Sequence, residues 1–259
     1  MMKRIVTIIL SLVLVLATLP AVYAQSVNSS FTSDDLEALF REYMEYPEFA
    51  MHYKVDPDAA IGNLERILSH HRTTKEQSLR TETYYDNWVS TSLVQQPDGI
   101  TCGPASGLMA LIGAGVSGNV FGSTNAAKVY TLAGVMQTQS YGETMVWLLA
   151  AGLNNYVASY QYTYINMTNK SLSDFQNYVQ DSLIYGRIPI LHAVTSYLGY
   201  YGGNTDYHYI AIQRFNGPNS TMTLYDPHNS PSYYGSHVVP VSQAYNSIHA
   251  VSGRYLICY

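Results

Sequence analysis

Two cysteines, Cys102 and Cys258, and eight histidines set the nucleophilic chemistry open to this 259-residue chain. Cys102 begins the run Cys102-Gly103-Pro104-Ala105-Ser106-Gly107-Leu108-Met109-Ala110-Leu111. Proline is harmless in a first helical turn, so this run predicts a helix entered at Cys102. The positive end of the helix dipole favours a thiolate at that position. Gly103 leaves the sulfur free of a neighbouring side chain, which lets a substrate backbone approach. The competing use of two cysteines in an exported protein is a Cys102–Cys258 disulfide, and the count alone favours it. The residues around Cys102 favour a reactive thiol.

A thiol nucleophile needs a base, a group that orients the base, and donors for an oxyanion. His208 lies in Asp206-Tyr207-His208-Tyr209-Ile210-Ala211-Ile212, a strand-like run that follows Gly202-Gly203. A histidine early on a strand can face a cleft; the plainer alternative is a ring paired to backbone on a sheet face. Asp226 ends the next strand-like run and precedes Pro227. Adjacent antiparallel strands would bring Asp226 to His208 and fix its tautomer. A turn aspartate before proline is the common alternative. Gln96 lies six positions before Cys102, where a side-chain amide can donate to an oxyanion beside the Cys102 N–H. Gln95 competes with it and differs only in spacing. His208, Asp226 and His228 could also be read as metal ligands, but no short His-x-x-x-His pair supports that.

The elements that would hold these groups fall into two parts. Residues 25–83 are rich in charge and form a helical N-terminal extension, either a pro-segment or a structural cap. There Ser33 is the expected N-cap of a helix presenting Leu36, Leu39, Phe40 and Tyr43, and a second helix follows Pro57. From Tyr84 onward the pattern runs helices first and strands second. Helices are expected over 102–111, 123–136, 144–153 and 171–185. Strands are expected over 156–164, 187–194, 207–215, 221–225 and 254–258. That segregation predicts an α+β fold with an antiparallel sheet.

The first 24 residues read as a secretory signal peptide. Lys3-Arg4 precede an apolar stretch from Ile5 to Leu19, and Val22-Tyr23-Ala24 supply a small-x-small cleavage site. The apolar stretch is shorter than the roughly 20 residues of a membrane span, and an uncleaved anchor is the alternative. The mature chain, starting at Gln25, would be extracellular and without a span. A net charge of -5 argues against nucleic acid as the partner. Polarity comes from Asn, Ser, Thr, Gln and 25 tyrosines rather than from charge. Asn28, Asn166 and Asn219 sit in N-x-Ser/Thr patterns, which matter only in a glycosylating host.

The set Gln96, Cys102-Gly103-Pro104-Ala105-Ser106, His208-Tyr209 and Tyr225-Asp226-Pro227 resembles the papain-like cysteine peptidase superfamily, and within it the C39-like peptidases. The resemblance covers roughly residues 84–259. It implies a papain-like α+β domain in which an N-terminal helical part carrying the Cys helix packs on a C-terminal antiparallel sheet. It also implies a Cys-His-Asp triad of Cys102, His208 and Asp226, with Gln96 on the oxyanion, acting through a thioester on a peptide or protein. No cofactor or metal is implied. The same chemistry would serve a cell-wall amidase or acyltransferase.

Overall fold

The computed structural model describes residues 32–78, 84–139, 144–157, 162–249 and 255–259, without the side chains of 70–78 and 249. The expected signal peptide, Asn28 and Arg254 lie outside the described residues.

The described residues of the extension form three helices where the sequence suggested two: α1 (Ser33–Tyr43), α2 (Pro47–Val55) and α3 (Pro57–Ser78). The cap of α1 is Thr32, not Ser33. Its hydroxyl accepts from the Asp35 N–H, while the Asp35 carboxylate accepts from the Thr32 N–H at 2.6 Å. This reciprocal pair is a capping box, which Ser33 cannot form because Glu or Asp must stand three residues after the cap. α2 is short and begins at Pro47, so its few apolar positions carry no clear period.

The extension is built into the fold. Tyr43, Phe49, Leu64 and Ile67 are fully buried and belong to the same apolar core as the rest of the chain. α3 also caps a sheet edge. The edge strand β2 (Thr163–Asn166) finds a partner in the side chain of Asn63. Asn63 Oδ1 accepts from the Tyr164 N–H, and its Nδ2 donates to the Tyr164 carbonyl, each at 3.2 Å. One amide side chain thus replaces a neighbouring strand, satisfying an edge that would otherwise be open.

After the three-residue strand β1 (Asp86–Trp88) come α4 (Cys102–Gly113), α5 (Asn125–Val135) and α6 (Val146–Asn154). Then β2 is followed by α7 (Leu172–Ile184), β3 (Ile190–Val194), β4 (Tyr207–Asn216), β5 (Thr221–Asp226), β6 (Gly235–Pro240), α8 (Val241–His249) and β7 (Tyr255–Cys258). The strands form one antiparallel sheet in the order β2-β7-β3-β4-β5-β6, and β1 pairs with the C-terminal half of β4. The fold is therefore α+β, with the helical part first and the antiparallel sheet after it, as expected. The strand expected over 156–164 is displaced: Tyr156 and Val157 close α6 in a turn, and pairing begins only at Thr163.

α4 is apolar on every side, and every residue from Cys102 to Leu111 is buried. A helix of that kind belongs inside a domain, flanked on more than one face. α5, α6 and β4 all pack against it. Gly103 and Gly107 permit this close packing. A Cβ on Gly103 would stand 3.0 Å from both Leu149 Cδ1 and Thr144 Oγ1, and one on Gly107 would stand 2.9 Å from Met136 Cε. The sequence suggested that Gly103 opens the way for substrate; what the fold requires there is room for α6 and the loop before it.

Candidate active site

Sheet register brings His208 and Asp226 together. Ala211 faces Tyr225 across β4 and β5, and Ile212 faces Leu224. Continuing that register sets Asp226 across from Ile210. Residues two apart on a strand share a face, so His208, Ile210 and Asp226 all point the same way. The result is a hydrogen bond of 2.9 Å between His208 Nε2 and Asp226 Oδ1. Both residues are buried, at 2% and 0% exposure.

Asp226 is held by four donors. Oδ1 accepts from His208 Nε2 and from the His228 N–H, the latter at 2.9 Å. Oδ2 accepts from the hydroxyls of Tyr200 and Tyr201, each at 2.8 Å. Burial alone would raise the carboxyl above its ordinary value. The bonds from His208, His228 and Tyr201 outweigh burial and hold it lowered, so the carboxylate is the stable form. An anionic acceptor on Nε2 keeps the proton on that nitrogen, which leaves Nδ1 as the free nitrogen of the neutral ring.

Cys102 is the other group that acts on the ring. Burial depresses His208, but the Cys102 sulfur and the Asp226 carboxylate outweigh it and raise the imidazole above its usual 6.5. Cys102 is the first residue of α4 and is 8% exposed. No side chain caps the helix there, because the Thr101 hydroxyl donates instead to Asp98 Oδ1 at 2.8 Å. The N-terminus of α4 thus lacks a side-chain cap, and Cys102 sits at the positive end of the helix.

One bond ties the helix of Cys102 to the strand of His208, and a second ties that strand to the loop before α6. Ser106 Oγ, one turn after Cys102, donates to the Tyr209 carbonyl at 2.9 Å. The Tyr209 hydroxyl reaches back to the Thr144 carbonyl at 2.7 Å. His192 lies across from Tyr209 on β3, its ring stacked on the tyrosine at 4.5 Å. Burial first, and the charge of His208 second, lower His192 to about 4, so it stays neutral beside the site.

Gln96 is 4% exposed. Its backbone N–H donates to the Pro227 carbonyl at 2.7 Å, which fastens the loop before α4 to the end of β5. Its Nε2 donates to the Asp98 carbonyl at 2.6 Å, which commits one of the two amide protons and leaves the second. Gln95 is turned elsewhere, donating to the carbonyls of His228 and Asn229.

Cys102 and Cys258 are both free thiols, so the alternative of a disulfide between them is not what the fold forms. Cys258 is fully buried in β7, and burial pushes its thiol up, away from reactivity. His228 Nδ1 accepts from the Ser230 N–H at 2.9 Å, so its ring is engaged within its own turn. Among the described residues no group of three His, Cys, Asp or Glu side chains is placed to hold a metal ion. Asn166 is buried in β2, which removes it as a glycan acceptor in the folded chain.

The family model described as Peptidase_C39 like family matches residues 88–253, a span that holds Gln96, Cys102, His208 and Asp226. The chain belongs to the Peptidase_C39 like family. Helices α1 to α3 precede the part that the Peptidase_C39 like family accounts for. Two solved structures show a looser likeness. One is a double glycine motif protease from an AMS/PCAT transporter in complex with the leader peptide, at 12% identity and a TM-score of 0.40. It covers 66% of this chain and 92% of that one. The other is the peptidase domain of Streptococcus ComA, a bi-functional ABC transporter involved in a quorum sensing pathway, at 17% identity and a TM-score of 0.40. It covers 65% of this chain and 96% of that one. No curated protein matches.

The sequence missed Tyr200 and Tyr201. Their only signal was a Tyr-Tyr-Gly-Gly turn ahead of the His208 strand, and nothing in that turn pointed to Asp226 across the sheet.

Proposed function

We propose that this chain is a secreted cysteine peptidase that hydrolyses peptide or amide bonds through Cys102, His208 and Asp226. The observation that carries this reading is the buried hydrogen bond of 2.9 Å from His208 Nε2 to Asp226 Oδ1, on a ring that the Cys102 sulfur also raises. Membership of a peptidase family supports it. The basic, apolar and small-residue order of residues 3–24 supports export.

Cys102 Sγ attacks the substrate carbonyl carbon, and its proton resides on His208 Nδ1. The carbonyl oxygen becomes an oxyanion, met by the Cys102 N–H and the uncommitted Gln96 amide proton. Collapse breaks the C–N bond, and His208 hands its proton to the leaving amine. A thioester remains on Cys102. His208 then takes a proton from water, whose oxygen attacks the thioester and releases a carboxylic acid and the thiol. Asp226 stays ionised throughout and keeps the ring in the Nε2–H tautomer.

The test is digestion of a peptide mixture with the wild type and the Cys102→Ala variant, read by mass spectrometry. New peptide termini from the wild type alone are expected. Acyl transfer to an added amine, with no hydrolysis, would replace the peptidase reading by the acyltransferase one.

A further inference from the structure

Tyr200 and Tyr201 belong to the short 3-10 turn Gly199–Tyr201. The turn is closed by Gly202 and Gly203, at φ of 59° and 87°, where a side chain would be strained. Its start is held by Gln243 of α8, whose Oε1 accepts from the Gly199 N–H at 3.1 Å. Each ring is clamped separately. Tyr200 stacks on His237 of β6, with centroids 3.7 Å apart and planes 3° apart. Tyr201 stacks on Tyr233 at 4.3 Å, and Asn204 donates to the Tyr233 hydroxyl at 2.7 Å. Both hydroxyls end on the same oxygen, Asp226 Oδ2.

Resting on the hydrolase reading above, we propose that Tyr200 and Tyr201 are a positioning pair that saturates Asp226 Oδ2, so that the carboxylate stays ionised and only Oδ1 serves His208. Without them the carboxylate would be a fully buried anion with half of its donors gone. A buried anion that loses donors is driven toward its neutral form. A protonated Asp226 no longer supports the imidazolium, and the thiolate beside that imidazolium is lost with it. The other titratable groups facing Asp226 are His208 on β4 and His228 on the turn after β5. Further out lie Cys102 on α4, Asp206 before β4, His192 on β3 and His237 on β6.

The test is the pH dependence of Cys102 alkylation by iodoacetamide, which needs no knowledge of the substrate. It compares wild type, Tyr200→Phe, Tyr201→Phe and the double variant. The phenyl rings keep the stacking and remove only the hydroxyls. The acid-side midpoint of the alkylation rate moves up by about one pH unit in the double variant and by less in each single variant. The plateau rate at higher pH is unchanged. A merely structural role would lower stability and leave that midpoint where it is. An unchanged midpoint in the double variant overturns the proposal. Should the double variant not fold, the two single variants decide it: an upward shift in either supports the pair, and none in both overturns it. A wild type that resists alkylation at every pH overturns the thiol-hydrolase reading and the pair with it, whereas a reactive wild type with unshifted variants overturns the pair alone.

Discussion

The Ser106 hydroxyl donates to the Tyr209 carbonyl at 2.9 Å, joining the helix that begins at Cys102 to the strand that carries His208. The bond is fully internal: Ser106 is 0% exposed. It spans the two halves of the proposed site one turn from the sulfur and one residue from the imidazole.

Ser106→Ala should therefore separate stability from catalysis only in part. Losing a buried bond of this kind costs about 1 kcal/mol. The expected result is a lower urea midpoint together with a several-fold fall in kcat at nearly unchanged KM. Loss of stability without any change in kcat would mean that the helix and strand keep their alignment through other contacts.

Gly103→Ala tests whether Gly103 serves packing. A methyl group there meets Leu149 and Thr144 at 3.0 Å, closer than normal contact. Overpacking of this kind costs about 1–3 kcal/mol. Thermal denaturation should show a clear loss, and shortening Leu149 to Ala in the same chain should recover part of it. Full stability of Gly103→Ala would return the glycine to the role of clearing the path for substrate.

The extension should remain in the mature protein. Asn63→Ala leaves the Tyr164 N–H and carbonyl without their partner on a buried edge, at about 1–3 kcal/mol per orphaned group. Removal of residues up to 83 would also expose the core faces of Tyr43, Phe49, Leu64 and Ile67. The truncated chain is expected to be insoluble or molten, and N-terminal sequencing of the protein isolated from its native cells and medium should find its start before Ser33. A stable, more active form beginning near residue 84 would make the extension a removable pro-segment.

The sequence already held most of this fold. The helices at 102–113, 125–135 and 172–184 lie where apolar period and breakers set them, because long periodic segments carry their own signal. The order of helices before strands was enough for the α+β class. β1 is only three residues long, and only Val239 of β6 is buried, so neither shows the alternation that marks a strand. α8 begins directly after Pro240, hidden by the turn-like composition around it. At the site, His208 and Asp226 were readable from their place on consecutive strands. The tyrosine pair and the Asn63 edge cap were not, because each depends on a contact between residues far apart in the chain. Such contacts leave no local pattern.

Stability should follow pH through the buried pair. Asp226 is lowered in the folded chain, so its contribution is present above its unfolded value of 3.8 and disappears as pH falls through the folded one. His208 is raised, so its contribution is complete below its unfolded value of 6.5 and is lost as pH rises through the folded one, in the alkaline range. The stability difference between wild type and His208→Gln should therefore shrink steadily as pH is raised above 6.5. A difference that is flat across that range would mean that the ring is not held in its charged form.

The proposed function stands on Cys102 as the nucleophile, and site-resolved alkylation tests that most directly. The folded protein is treated with iodoacetamide near neutral pH, digested and mapped under non-reducing conditions. One label on Cys102 is expected, slowed strongly in His208→Ala, while Cys258 reacts only after unfolding. An unlabelled Cys102 in the folded wild type, or a Cys102–Cys258 cross-link in the map, would contradict it.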